Sequence, residues 1–318
     1  MTKRLLILSL AVLGAVLGAW LAATAPASAA SYLTVAFGRG QWASAKSQTT
    51  CSVQQNTVTL NSVAQALAAR KIRPTVTVQL QFTQETTRHC VGQIMYGSWS
   101  DLQSLHTTYG WEAVSAGDTT ADYTTLSDAD VQAHACGTLS AFRAHGFTRA
   151  WGMFAFPNSR SDARTQAIVD GCFSFFRGYS NTKVNTLPVA APFRARTYSL
   201  TGGRCNDPAS PCSTMPLPTT YVYLDPQAAI DLINATPANG WAIFQGYRFV
   251  TGTTPNWDCS SSDWHDHWTH LQEEYCWNDY LHILDSLRTG FTTIDPAGAG
   301  ILQGRSFAVA SRQVVLHR

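Results

Sequence analysis

Several common active-site signatures are missing from this 318-residue sequence. No CxxC pair occurs, which argues against a zinc ribbon, and no HExxH motif marks a zinc-protease helix. GxSxG is absent as well, which removes the usual nucleophile elbow of serine hydrolases. Internal repeats, low-complexity tails and linkers are also lacking. Function must therefore be inferred from the order of strands and helices and from the polar residues at their ends.

Charge is scarce and balanced. Charged residues make up 13% of the chain, with 22 basic and 20 acidic side chains. Lys3 and Arg4 fall in a predicted leader, so the mature chain would carry 20 of each sign. A neutral protein has no electrostatic attraction for nucleic acid or an anionic membrane, and neither is expected as a partner. Abundant hydroxyl and amide residues and ten tryptophans suit carbohydrate, although most of the tryptophans are expected in the core.

The N-terminus has the layout of a secretory signal peptide. Lys3 and Arg4 precede an apolar run over 5–23, and Ala27-Ser28-Ala29 supplies a small-residue cleavage site. A retained membrane anchor is the alternative, because the apolar run is long. No later segment is long and apolar enough to span a bilayer. We therefore predict a signal peptide over 1–29, a single domain over 30–318 and a secreted, extracellular protein.

Eight cysteines in an exported chain predict disulfides. Eight cysteines allow about 105 pairings, so the number alone does not fix the connectivity. The order of the predicted elements favours sequential pairing: Cys51–Cys90, Cys136–Cys172, Cys205–Cys212 and Cys259–Cys276. If all eight are bridged, a thiol nucleophile is excluded.

Predicted strands alternate with predicted helices along most of the chain. The strands are expected at 32–37, 74–82, 111–115, 150–156, 173–179, 219–224 and 241–250, with a loop-rich stretch at 180–217. The helices are expected at 60–71, 98–110, 127–146, 165–172, from 225 onward and at 272–288, the first with Asn61 as a possible N-cap. This alternation predicts a parallel sheet that is closed or nearly closed, with helices outside. A distorted (β/α) barrel fits the strand number better than an open doubly wound sheet, and ligands should meet the C-terminal ends of its strands.

Four stretches of the sequence resemble one known family. They are YLTVAFGRG, VSAGDTTADYTTLSDADVQAHACGTLSAFRAHGF, GMFAFPNSRSDARTQAIVDGCFSFFRGY and NGWAIFQGYRFV. Their order is similar to that of the polysaccharide deacetylases with NodB homology. The resemblance implies a distorted (β/α) barrel of that type, linked here by disulfides. Family members remove acetyl groups from chitin, peptidoglycan or xylan with a bound divalent metal, usually zinc.

The residues that carry the family's chemistry are replaced in this chain. The positions of the two metal histidines, the base and metal-binding aspartate, the third-motif arginine and the general-acid histidine are occupied by Ala116, Thr120, Gly38, Arg39, Ala155 and Tyr247. Zinc sites need about three protein ligands, and alanine and glycine offer none. Guanidinium cannot bind a metal either. We therefore expect no cofactor, with zinc only if a site has been rebuilt elsewhere.

The ancestral cleft still offers polar and aromatic groups that could bind a ligand. Asp118 and Arg39 are expected to form an ion pair across it, whereas Asp122 is expected to cap its own loop. Arg177 interrupts an apolar strand, so it should face the pocket or pair with a carboxylate. The candidate binding residues are Arg39, Asp118, Thr120, Arg177, Gln245 and Tyr247, with Trp42 and Trp264 as stacking surfaces.

Two other sites remain as alternatives. The segment DWHDHWTHLQEEYC, 263–276, could hold a metal through His265, His267 and His270, although a hydrogen-bonded surface loop is the commoner outcome. A glycosidase would need two carboxylates about 5–10 Å apart, for which Glu112, Asp118 and Asp122 are candidates.

Together these features predict an exported polysaccharide deacetylase-like protein with a degenerate active site that binds carbohydrate or cell-wall glycan. Whether it is an enzyme stays open, because an active carbohydrate esterase or deacetylase with a rebuilt site is one alternative. A non-enzymatic scaffold that binds another protein is the other. Binding to insoluble glycans separates the first hypothesis from the scaffold, and metal dependence identifies a metal hydrolase.

Overall fold

The computed structural model describes most of the predicted mature chain. The described residues are 30–38, 58–91, 94–179, 183–200, 226–254, 257–262, 267–269 and 274–305. Several sequence predictions lie outside these residues: the leader, the strand at 219–224, Arg39, Trp42, Cys51, Cys205, Cys212, Trp264, His265 and His270.

Seven parallel strands form a closed barrel, which confirms the predicted fold class. Each strand pairs with the next, and the last pairs with the first over Tyr32–Phe37 and Trp241–Gly246. The strands are β1 (Ser31–Phe37), β2 (Thr75–Val78), β3 (Glu112–Ser115), β4 (Met153–Phe154), β5 (Phe175–Tyr179), β6 (Arg194–Ser199) and β7 (Gly240–Gly246).

Alternate residues of the strands supply two apolar layers. Leu33, Val35 and Phe37 of β1 belong to the large cluster that also contains the apolar faces of the helices. Ala36 of β1 belongs to a second cluster with Val114, Ile243 and other residues from the opposite faces of the strands. Because neighbouring side chains of a strand point to opposite faces, burial on both sides fits a barrel enclosed by helices.

Helices cover the outside of the barrel. They are α1 (Leu60–Ala69), α2 (Trp99–Tyr109), α3 (Asp128–Val131, a π-helical turn Gln132–Cys136 and Thr138–Ala144), α4 (Ala163–Asp170), α5 (Pro226–Asn234), α6 (Trp277–Asp285) and α7 (Pro296–Leu302). Gly110 ends α2 with φ +70°, as its position predicted. The predicted N-cap Asn61 is wrong, because Thr59 Oγ1 accepts from the Ser62 N–H at 3.0 Å and so caps α1.

The main error of the sequence prediction concerns the stretch at 180–217, which contains barrel strand β6. Arg194 and Arg196 are exposed and alternate with buried Ala195 and Thr197, so the local sequence is too polar to stand out as a barrel strand. The predicted strands at 74–82 and 150–156 are shorter, and the one at 241–250 is interrupted at Tyr247. Short strands outside the barrel are His89–Val91, Ile94–Tyr96, Asn185–Thr186, Arg248–Val250, Gly252–Thr254, Trp257–Cys259, Trp268–Thr269, Glu274–Cys276 and Phe291–Thr293.

Two of the four predicted disulfides are present in the described residues. Cys136 in α3 is bonded to Cys172 just after α4, with Cα atoms 5.7 Å apart, and Cys259 is bonded to Cys276. Cys90 also forms a disulfide, while its predicted partner lies outside the described residues. None of the helices in the described part of the chain is long and apolar enough to cross a membrane.

Candidate functional site

A cleft of about 270 Å³ opens where the barrel strands end at their carboxyl sides. Its residues come from β2 and β5 and from the segments directly after β2, β3, β4 and β7. They are Thr77, Gln79, Phe82, Tyr96, Ala116, Thr120, Ala155, Phe156, Pro157, Asn158, Ser159, Arg177, Tyr179 and Tyr247. This is the end of a parallel barrel at which ligands are expected. The lining is aromatic and hydrogen-bonding, and Arg177 is the only charged side chain among the described residues that line it.

Arg177 projects from the middle of β5 and is held by the neighbouring strands. Its Nη1 donates to Gln245 Oε1 at 2.8 Å and lies 3.3 Å from Thr77 Oγ1. The guanidinium also lies over the Tyr179 ring, 5.1 Å from its centroid. A cation in an apolar strand needs such partners because burial costs it hydration. Arg177 therefore faces the cleft, one of the two outcomes that the sequence predicted.

Two tyrosines meet across the mouth of the barrel. The hydroxyl groups of Tyr179 and Tyr247 are 3.0 Å apart. Burial is the main reason why the pKa of Tyr247 is raised, and the neighbouring Tyr179 raises it further. The Tyr247 ring lies against Gly38, directly after β1. A Cβ atom at Gly38 would be 2.1 Å from Tyr247 Cε1 and 2.9 Å from Gln245 Nε2. Tyr247 thus fills the space that a side chain at the end of β1 would need.

The structure brings part of the predicted site together. Thr120, Arg177 and Tyr247 line the cleft, and Gln245 lies fully buried beside Arg177. Asp118 does not line it: its carboxylate Oδ1 is 2.7 Å from His134 Nδ1 of α3. The partner that we predicted for Asp118, Arg39, lies outside the described residues.

Asp122 caps its loop, as the sequence predicted. Its Oδ1 accepts from the backbone N–H of Thr124 at 3.0 Å and its Oδ2 from Arg160 at 2.9 Å. The Thr124 hydroxyl also donates to Oδ1 at 2.7 Å and contributes most to lowering the pKa of Asp122, followed by Arg160. The carboxylate is therefore engaged in holding the loop rather than open for chemistry.

Several cleft residues were missed by the sequence prediction. Tyr179 follows Arg177 by two positions on the same strand, so strand alternation could have identified it. Phe82 belongs to a short helical turn after β2, and Tyr96 to a hairpin strand, neither of which the sequence pattern predicted. Asn158 and Ser159 have φ of 52° and 57°, a conformation uncommon for residues other than glycine.

The described cleft residues do not fit a catalytic zinc ion. Such a site needs about three imidazole, thiolate or carboxylate ligands, and none of the described lining residues is His, Cys, Asp or Glu. Ala116 and Thr120 occupy the positions at which the resemblance would place two metal histidines. Arg177 adds a fixed positive charge to the same cleft.

Glu112 lies at the opposite end of the barrel from Asp118 and Asp122, so it forms the glycosidase pair considered above with neither of them. Asp118 and Asp122 are engaged with His134 and Arg160. Glu112 begins β3 and, with Arg73, Arg149 and Asp295, lines a second pocket of about 410 Å³. Burial raises the pKa of Glu112 to about 7, against the effect of His106, whose Nδ1 is 3.8 Å away. Its Oε2 has no hydrogen-bond partner among the described residues.

Replacing Glu112 with glutamine is expected to stabilise the protein at pH 8 but not at pH 5. The folded state raises the pKa of Glu112, so the unfolding free energy of the wild type falls as pH rises from about 4.5 through 7. Glutamine mimics the protonated acid and removes that loss, a gain of roughly 1–2 kcal/mol at pH 8 after allowance for solvent in the open pocket. Urea denaturation at both pH values measures it. An equal effect of Glu112→Gln at the two pH values would contradict a raised pKa.

Of the three histidines in the alternative metal site at 263–276, the structure describes only His267, and both of its ring nitrogens have partners. His267 is 2% exposed, with Nδ1 3.0 Å from Asp279 Oδ1 and Nε2 2.8 Å from the Ser261 carbonyl oxygen. Both partners accept hydrogen bonds, and the bond to Asp279 raises the pKa of His267. The imidazolium form satisfies both contacts and leaves no lone pair for a metal. Cys276 lies near these atoms, but its sulfur is already bonded to Cys259.

Comparison with known proteins gives similarity at the level of the fold. No family model matches the sequence, and no curated protein matches it either. A family 4 acetyl xylan esterase from Clostridium thermocellum shows 12% identity and a TM-score of 0.45 over 89% of this chain and 96% of that one. The chitin deacetylase of Colletotrichum lindemuthianum shows 12% identity and a TM-score of 0.45 over 86% and 88%.

A family 4 pseudoenzyme from Bacillus anthracis is also similar, with 12% identity and a TM-score of 0.33 over 69% of this chain and 56% of that one. The chain is thus similar to carbohydrate esterases and polysaccharide deacetylases of family 4. With TM-scores below 0.5, this similarity assigns neither a substrate nor residue roles to it.

Proposed function

We propose that this chain is an exported, non-catalytic carbohydrate-binding protein that binds cell-wall or other polysaccharide in the cleft at the C-terminal mouth of its barrel. The observation that carries the proposal is the chemistry of that cleft. Tyr179 and Tyr247 offer aromatic rings, while Thr120 and Asn158 offer hydrogen-bonding groups. Aromatic faces stack on the apolar faces of sugars, and a few placed polar groups fix a ligand's orientation.

Two further features support this function over metal-assisted deacetylation. The described cleft residues supply no ligand set for zinc, and Asp118 and Asp122 have other partners. The absence of a cofactor stays a prediction, as does export, which the signal-peptide pattern and the disulfides support. The cleft would then keep the sugar-binding function and lose the polarising metal that activates water.

Glycan capture tests the proposal. The purified mature protein is expected to cosediment with at least one of insoluble chitin, xylan and peptidoglycan. Tyr179→Ala is expected to weaken binding about tenfold, or ~1.4 kcal/mol, because it removes a stacking face. Tyr109→Ala, on α2, is the matched control and should bind as the wild type does.

Acetate release, measured with and without added zinc on acetylated forms of the same polymers, addresses the rival enzyme function. We expect no release above the buffer. Zinc-dependent release would replace the proposal with an active esterase whose site has been rebuilt. Failure to bind any of the polymers would contradict glycan binding and leave the protein-binding scaffold.

A further inference from the structure

Arg177 has no acidic partner among the described residues, whereas seven other arginines have one. Carboxylates pair with Arg70, Arg88, Arg149, Arg160, Arg164, Arg248 and Arg305. The described contacts of Arg177 are an amide oxygen, a hydroxyl group and an aromatic ring. A half-buried cation with neutral partners keeps an uncompensated charge, which favours an anion in the same cleft.

The free donors of Arg177 lie on one edge of the guanidinium. Nη1 makes both described hydrogen bonds, to Gln245 Oε1 and toward Thr77 Oγ1. Neither Nε nor Nη2 has a partner among the described residues. These two groups form a fork of parallel N–H donors that matches the two oxygens of a carboxylate. Gln245 is fully buried, and its hydrogen bond to Nη1 restricts the orientation of the guanidinium group.

The size and lining of the cleft indicate which kind of anion it can bind. About 270 Å³ lies just below the roughly 300–1,000 Å³ of typical small-molecule sites, so one sugar residue is a better fit than a long segment. A single cation balances a single negative charge, whereas a dianionic phosphate would be undercompensated. Tyr179 and Tyr247 beside Arg177 provide ring faces for the sugar that carries the charge.

We infer that Arg177 binds the carboxylate of an acidic sugar, a uronic acid residue, through its Nε and Nη2 groups. The inference rests on the proposed glycan-binding function and specifies its substrate class. The uronate ring would lie at the tyrosine pair, with its carboxylate directed to the floor of the cleft. Neutral glycans would bind through the same aromatic faces with lower affinity.

Calorimetric titration with matched ligands tests the role of Arg177. Galacturonate, glucuronate and mannuronate hexamers are each compared with their methyl esters, which keep the sugar and remove the charge. The wild type is expected to bind at least one acid about tenfold more tightly than its ester. Arg177→Gln should abolish that preference and bind the ester as the wild type does. Arg177→Lys should retain part of the preference, because it keeps the charge but loses the fork.

Arg73→Gln is the control, since it removes the same charge at the opposite mouth of the barrel and should leave the preference intact. Equal binding of acids and esters by the wild type would overturn the inference while glycan binding stands. A preference that persists in Arg177→Gln would also overturn it, because another residue would then recognise the charge. Tighter binding of glucose 6-phosphate than of glucuronate would overturn the choice of carboxylate. No binding of any hexamer or insoluble polymer would overturn the proposed function as well.

Discussion

Replacing Arg248 with alanine is expected to lower the free energy of unfolding by about 3–5 kcal/mol. Arg248 directly follows Tyr247, and its guanidinium pairs with Glu274 on the neighbouring strand Glu274–Cys276. Arg248 is 8% exposed and Glu274 is fully buried. Removing Arg248 takes away the cation that offsets the buried Glu274 carboxylate, which accounts for the size of the loss. Urea denaturation at pH 7 measures it.

An exposed pair of the same chemistry is the control. Arg70 makes two hydrogen bonds to Asp285, at 2.7 and 2.8 Å, but the Asp285 side chain is 59% exposed. Solvent screens that pair, so Arg70→Ala is expected to cost about 1 kcal/mol or less. Similar losses in the two variants would show that burial of the charge is not the cause.

A second comparison separates charge from packing. Arg248→Met keeps most of the side-chain volume and removes the charge. Its cost should be smaller in a Glu274→Gln background than in the wild type, since glutamine leaves no buried anion behind. The same cost in both backgrounds would assign the loss to packing instead.

The barrel could be predicted from the sequence because its strands and helix ends have clear local sequence patterns. β1 and β7 are apolar on both faces, and Ser98 and Ser127 accept hydrogen bonds at the starts of α2 and α3. β6 carries no such signal, because Arg194 and Arg196 alternate with small or polar residues. Its place in the barrel depends on pairing with β5 and β7, which no local pattern encodes.

In the candidate site too, residues marked by the local sequence could be predicted, whereas a contact between distant residues could not. Arg177 could be predicted because it interrupts an apolar strand, and Tyr247 because it lies at the position where the resemblance places the general-acid histidine. The contact of Asp118 with His134 could not, since the two residues are sixteen positions apart and His134 lies in the π-helical turn of α3. A π-turn changes the direction of the side chains around it, and no local sequence pattern indicates this one.

The end of β1 links the fold to the chemistry of the cleft. The backbone N–H of Gly38 donates to the carbonyl oxygen of Gly246 at 2.9 Å. This hydrogen bond holds the ends of β1 and β7 together directly before Tyr247. With the Tyr247 ring over Gly38, there is no space for a side chain at residue 38. The aromatic ring thus replaces a charged group at the position where the resemblance would place a catalytic base.

Substituting Gly38 with alanine is expected to cost about 1–3 kcal/mol of stability, and most of that loss should disappear when Tyr247 is also alanine. The added Cβ would lie 2.1 Å from Tyr247 Cε1, which forces the ring or the strand to move. In the double-mutant cycle Gly38→Ala, Tyr247→Ala and both together, the coupling energy should be about 1–3 kcal/mol. Urea denaturation of the four proteins measures it. A cost for Gly38→Ala that is independent of Tyr247 would place the strain in the backbone or at Gln245, whose Nε2 is the other close atom, and would contradict this role for the tyrosine ring.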